Sequence, residues 1–361
     1  MPKVFGKEFT KQELLRRIGD ISQIAGVQHV KLVGGMKDGV EAVEFRTGTG
    51  FRFLTVPGRG LDISIAEHNG RSLAWRSAGG EIASSYYDNR GFNWVRSFPG
   101  GLLTTCGLTS AGDPCTDAGE EVGLHGRISH TPADNLCMDA GWIGDDYRMW
   151  VSGKMREFSL NGENMVLSRK ISTVLGENRL WIDDIVTNEG PRTSPHMILY
   201  HINGGFPAVD GGSQMVSTSK SLIPRTADAE VDMEHYYLNE APIDAYKDRV
   251  YFHEMGTASD GNVYVALINK NMPCGEQFGF YVKYRNEELP KFVQWKRNGT
   301  QEYVVGIEPS NCWVNGRDKE REQGTLQFLE PGESREYHLE IGVLSTPDEV
   351  AEFERLVGWN K

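Results

Sequence analysis

The sequence predicts a mainly β protein built from large antiparallel sheets, with short helices at its N- and C-terminal ends. Three observations predict it. Asn-Gly or Asp-Gly pairs stand at positions 38, 69, 161, 203, 210, 260, 298 and 315, and such pairs supply the positive φ angles of hairpin turns. The segments between them alternate apolar and polar residues with the period of a half-buried strand. Helix-start signals, by contrast, are confined mainly to the two ends.

Each element follows from local chemistry. In "TKQELLRRIGDI", Thr10 and Glu13 have capping-box spacing and Leu14, Leu15 and Ile18 share one helical face, which predicts a helix within an N-terminal extension over residues 1–26. In "LDISIAEHNGRSLAWRS" the pair Asn69-Gly70 separates Leu61, Ile63 and Ile65 from Leu73 and Trp75, the pattern of a hairpin. "MREFSLNGENMVLSRKIS" and "SREYHLEIGVL" read the same way. Thr346, Pro347 and Glu349 open a C-terminal helix and Gly358 stops it, so residues 346–361 form a terminal unit. No repeat or Pro/Ser-rich linker divides residues 27–345, which are read as one large β domain.

Composition excludes several classes of function. Fifty acidic against 38 basic side chains give a formal net charge of −12 without any long like-charge block, so nucleic acid is not expected as a partner. The N-terminus lacks a signal-peptide core and no run of about 18 apolar residues occurs, so neither export nor a membrane is expected and the chain is placed in the cytoplasm. Its cysteines, at positions 106, 115, 137, 274 and 312, form no C-x-x-C pair and argue for reduced thiols. The sequon at Asn298 reads as a turn. With no G-x-S-x-G, Walker, G-x-G-x-x-G or H-E-x-x-H motif, no metal or other cofactor is expected. Oligomeric state is not legible.

The candidate chemistry lies in four stretches. "GLHGRIS" sets His125 between two glycines, where the backbone can turn sharply and leave the ring uncrowded. "SPHMILYHINGGFP" carries His196 and His201 five residues apart, and on a strand an odd separation sends them to opposite faces. His201 shares its face with Met197, Leu199 and Asn203 at the end of that strand, and is the candidate. In "YVVGIEPSNCW", Glu308 ends an apolar run, a costly place for a carboxylate that is neither paired nor used. "GFNWVRSFPGGLLTTCGL" combines Trp94 with Arg96, an aromatic face and a fan of donors suited to a polyhydroxylated ligand, whereas Cys106 reads as a small buried residue.

Together the stretches "PGRGLDIS", "WVRSFPGGLLTTCGL", "GLHGRIS", "YHINGGFP", "LPKFVQWK" and "YVVGIEPSN", in this order, resemble the aldose 1-epimerase-like branch of the galactose mutarotase superfamily over residues 27–345. The resemblance implies a β-supersandwich with a sugar-binding groove and a small-molecule sugar as substrate. It also implies roles: His201 as general acid, Glu308 as general base, His125 on the ring-oxygen side, and Arg96 as a substrate-binding arginine. Arg59, Arg127 and Lys296 lie in the matched motifs and, with Asn203, complete the expected binding set. The further acidic residue that commonly holds sugar hydroxyls is not assigned. The implied reaction interconverts α and β anomers by acid/base ring opening and requires Glu308 ionised and His201 protonated before turnover. A non-catalytic sugar-binding protein, or an epimerase or isomerase of an acidic or modified sugar, are the alternative readings.

Overall fold

A computed structural model describes residues 1–360. Two antiparallel sheets pack face to face. The smaller has eight strands in the order Asp134–Ile143, Asp146–Phe158, Asn164–Val174, Arg179–Asn188, Ser334–Leu344, Phe278–Tyr284, Val263–Asn269 and Gln214–Ser217. In its long strands buried and exposed residues alternate, as expected when one face meets the core and the other meets solvent.

The larger sheet has twelve strands. Its main path runs Ser219–Pro224, Arg249–Met255, Lys291–Asn298, Tyr303–Ser310, Ser194–Gly204, Leu103–Leu108, Asp62–His68, Phe51–Val56, Glu41–Arg46 and Gly26–Lys31. Short strands Arg71–Ser72 and Gln327–Leu329 attach to it. Its central strands are buried on both faces, which is why "SPHMILYHING" and "YVVGIEPS" read as almost continuous apolar runs. Ile198, Tyr200 and Ile202 face the core between the sheets. Met197 and Leu199 face outward, under a cover of Trp94, Phe98, Phe252, Trp295 and Trp313.

A buried charge cluster crosses the sandwich. Arg169, on the eight-stranded sheet, donates to Asp184 beside it and to Asp62 of the other sheet, the latter at 2.8 Å. Tyr200 donates to Asp184 at 2.7 Å, and Asp62 accepts from the Thr105 backbone and hydroxyl at 2.9 and 2.6 Å. With each guanidinium nitrogen bonded, Nη1 to Gly60 O as well, the low-dielectric interior strengthens the pairing.

The ends depart from expectation. The capping box of Thr10 and Glu13 forms, but its helix is the single turn Lys11–Leu15, accompanied by the short strands Lys3–Val4 and Lys7–Glu8. Of the anticipated apolar stripe only Leu14 is buried while Leu15 is exposed, and a short helix persists only where packing supports it. Residues 1–26 are therefore a mixed segment rather than a helical extension. Pro347–Val357 is helical, capped by Thr346 and Glu349 and ended by a left-handed Gly358. Two short helices in the middle, Ala227–Val231 and Arg317–Glu322, were not expected. Asn69-Gly70 makes its predicted turn, with φ of 51° and 75°. Asn203-Gly204 does not, lying inside a strand: a Cβ at 204 would stand 2.2 Å from Leu267 Cδ1, so this glycine serves close packing of the sheets.

Candidate active site

The outward face of the large sheet gathers the candidate groups. Strands Ser194–Gly204 and Tyr303–Ser310 pair antiparallel with Leu199 opposite Ser310 and Ile202 opposite Ile307, a register that sets His201 directly across from Glu308. His201 Nε2 lies 3.3 Å from Glu308 Oε1. The side-chain parity read from the sequence holds: His196 points the other way, into the core, where its Nδ1–H meets the Leu108 carbonyl and its Nε2 meets the Tyr337 hydroxyl at 2.6 Å.

His125 arrives from a different part of the chain. Its backbone sits at φ 59° between Gly123–Leu124 and Gly126, a left-handed conformation that a non-glycine residue adopts only under constraint. The constraint is a reciprocal pair of bonds with Gly112: the His125 N–H donates to the Gly112 carbonyl at 2.9 Å, and the Gly112 N–H donates to His125 Nδ1 at 3.4 Å. Because Nδ1 accepts, the proton of the neutral ring resides on Nε2, which becomes a donor. The His125 and His201 rings meet edge to face with centroids 5.6 Å apart. Aromatic walls enclose them, with Trp94 at 4.8 Å from His125, and Phe98 and Trp295 at 5.3 and 5.5 Å from His201.

This enclosure sets the protonation states. His201 is 5% and Glu308 2% exposed. Desolvation pushes the Glu308 carboxyl up to about 8, opposed by the Arg225 guanidinium. The same effect lowers His201 to about 4 and holds His125 well below the usual imidazole range. Burial thus favours the neutral pair, with its proton on Glu308, the reverse of the expected starting state. Under-satisfied polar atoms mark the site: Glu308 Oε1 is buried without a hydrogen bond, and His201 and Asn203 have only each other for His201 Nδ1 and Asn203 Oδ1. Orphans of this kind are costly unless a ligand completes them.

The other expected binding residues divide. Asn203 lies on the His201 face and anchors its amide on the Gly101 and His201 carbonyls at 3.1 and 2.9 Å, while its side chain also interacts with the His201 ring. Arg96 is exposed on the Asn93–Ser97 turn that carries Trp94, and donates to Asn93. Arg127 turns toward Glu163, 3.9 Å away.

Arg59 and Lys296 do not belong. Arg59 is 3% exposed and spends its guanidinium on the carbonyls of Ile82, Ser97 and Ser129 and on His130 Nε2, stitching three loops together. Lys296 is fully buried on the opposite face of its strand from Trp295, 2.9 Å from both Asp232 and Glu240.

Sequence reasoning missed Trp295, although strand alternation from Val293, which lies opposite Glu308, would have found it. It missed Phe98 and Arg225 as well, and for Arg225 no local signal exists. Asn298, in the sequon, is fully buried. Among the described residues no group of three or more His, Cys, Asp or Glu side chains could hold a metal ion, and no helix is long and apolar enough to cross a membrane.

A two-sheet sandwich of this kind is the fold that galactose mutarotase-like proteins also have. The chain belongs to the family described as a domain of unknown function, DUF4432, which matches residues 37–343. No curated protein matches the sequence. Among solved structures, a Klebsiella pneumoniae protein provisionally named an aldose 1-epimerase is 22% identical with a TM-score of 0.87, over 94% of this chain and 91% of that one. A galactose 1-epimerase from Lactobacillus acidophilus is 13% identical with a TM-score of 0.54, over 89% and 99%. An Escherichia coli protein, also provisionally named an aldose 1-epimerase, is 12% identical with a TM-score of 0.53, over 89% and 100%. At these identities the likeness establishes the fold.

Proposed function

We propose that this protein is an aldose 1-epimerase, interconverting the α and β anomers of a sugar by acid/base ring opening. The observation that carries the reading is the cross-strand pair of His201 and Glu308, buried, 3.3 Å apart, with Glu308 Oε1 left without a hydrogen bond beside His125. Ring opening needs one proton removed from the anomeric hydroxyl and one delivered to the ring oxygen. The pair holds the single proton this exchange requires, and its two states are the two ends of the step. With Glu308 ionised and His201 cationic, a closed sugar can react. After Glu308 takes the anomeric proton and His201 gives its own to the ring oxygen, the pair is neutral and the sugar is open-chain.

Burial favours the neutral pair and therefore the open-chain side, while hydroxyls of a bound ring, by donating to the carboxylate, favour the charged pair. Rotation about C1–C2 and reversal of the transfers closes the other anomer. His125, through Nε2–H, supports the oxygen that gains the proton. Each positioned acid or base contributes about 10²–10⁴-fold.

Exchange between anomers, followed by NMR across a panel of aldoses, tests the reading. Acceleration of at least one aldose by catalytic amounts of protein is the expected result. Uncatalysed rates for every sugar would sink it.

A further inference from the structure

Beyond the histidines and Glu308, the charge of Arg225 also acts on this face. Arg225 follows strand Ser219–Pro224, and its N–H donates to the carbonyl of Val250, which packs in the same outward cluster as Trp94 and Leu124. Its Nε donates to Asn315 Oδ1 at 2.8 Å and one Nη donates to Asp113 Oδ2. Asp113 directly follows Gly112, the residue that grips His125, and its N–H donates to Val314 O at 3.0 Å. The guanidinium plane is thus fixed on the loops that build the site. Among the described residues the remaining nitrogen, Nη1, has no partner. The charge acts on both Glu308 and His125.

Two consequences follow from this clamp. A fixed, free N–H pair is a ready donor to ligand oxygens, because its orientation is already set. A carboxylate or phosphate arriving there, however, meets Asp113 as well as Arg225, so that repulsion offsets attraction. The other cations near this face are not clamped in the same way: Lys291 lies over the Trp313 ring at 4.7 Å, and Arg96 is exposed with a single bond to the Asn93 side chain.

We propose that Arg225 is a specificity-determining residue, its Nη1 donating to hydroxyl oxygens of the bound sugar while Asp113 cancels its charge, so that the site takes uncharged aldoses and rejects uronates and sugar phosphates. The proposal rests on the anomer-exchange reading above and narrows its substrate class. Asp113 thereby acts through Arg225, as a positioning residue that sets the charge of the contact.

The experiment compares glucose and galactose with glucuronate, galacturonate and glucose 6-phosphate, measuring both NMR anomer exchange and ligand-observed NMR binding. Wild-type protein should favour the neutral hexose over its uronate by about tenfold or more in kcat/KM. Asp113→Asn keeps an acceptor for the guanidinium but removes the charge, and should shift that ratio toward the uronate by about tenfold or more. Arg225→Met should lower kcat/KM for the neutral hexose by about 10- to 100-fold, as loss of a charge-assisted hydrogen bond does, and should abolish the uronate gain of Asp113→Asn in the double variant. If Arg225→Met does not fold, Arg225→Lys and Asp113→Asn decide the matter. Equal or better exchange of the anionic sugars by wild-type protein overturns the proposal, as does an unchanged ratio in Asp113→Asn. Absence of exchange with every sugar overturns the epimerase reading alone, provided binding still favours neutral hexoses in wild type and shifts in Asp113→Asn. Absence of both exchange and binding overturns the two together.

Discussion

A Cβ at position 306 would stand 2.3 Å from Glu308 Oε1 and 3.2 Å from Trp295 Cβ. Gly306 is therefore the floor on which the Glu308 carboxylate lies, and its missing side chain lets that carboxylate reach His201. Gly306→Ala should displace the carboxylate while leaving the strand pairing intact. The expected outcome is a fall of about 10- to 100-fold in kcat/KM, since misplacement of about 1 Å is enough for such a loss. NMR exchange measures it, with circular dichroism as the folding control. Unchanged activity in a folded variant would remove the argument for this geometry.

Glu308→Gln and His201→Asn should each lower turnover by about 10²–10⁴-fold, and the double variant should be little worse than either, because both act in one transfer. His196→Asn is the contrast. It loses the Tyr337 and Leu108 partners inside the sandwich, so stability should drop by about 1–3 kcal/mol while turnover per folded molecule stays near wild type. Loss of turnover in folded His196→Asn would mean that the wrong histidine was assigned.

The pH profile follows from the pair. The competent form carries one proton between His201 and Glu308. Above about 8 that proton leaves Glu308, and below about 4 a second one is added to His201. A plot of kcat/KM against pH should thus be bell-shaped with limbs near those values. Stability carries a matching signature for Glu308, whose folded value is raised. The unfolded chain ionises near 4.5 while the folded one keeps its proton to about 8, so stability is lost progressively across that interval. Glu308→Gln removes this penalty, and its melting temperature relative to wild type should rise between pH 4.5 and 8. A constant difference across the range would contradict the raised value.

Arg169→Met leaves Asp62 and Asp184 buried without their cation. Breaking a buried charge cluster on one side costs about 3–5 kcal/mol, and urea melts at neutral pH should show it. A cost under about 1 kcal/mol would mean that the cluster does not hold the two sheets together.

How much of this could be read from the chain depended on whether the signal was local. Strand parity separated His196 from His201 because both lie on one strand, and two faces are the only choices. The capping boxes at Thr10 and Thr346 were legible for the same reason. Lys296 was misplaced because its motif was weighed without its parity: Trp295, one residue earlier, owns the outward face. Arg59 looked like a binding cation because sequence shows a charge but not the carbonyls that consume it. Asn203-Gly204 has the spelling of a turn, yet the demand on that glycine comes from Leu267 in the opposite sheet. Arg225 is brought to the site by partners 90 and 112 positions away in sequence, Asn315 and Asp113, and no window of the chain contains that information.

The left-handed backbone of His125 has a consequence for how this protein would respond to selection. A residue at φ 59° stores backbone strain, so His125→Asn, which tolerates the left-handed region and keeps a polar side chain in the pocket, should hold or raise the melting temperature even as it deletes the imidazole donor proposed for the sugar. Random mutagenesis screened for heat resistance alone should therefore enrich substitutions at this codon and yield hardy proteins that no longer exchange anomers. A screen that requires turnover should keep the imidazole and collect its gains elsewhere. Divergence between those two libraries at position 125 would separate what the fold prefers from what the reaction demands.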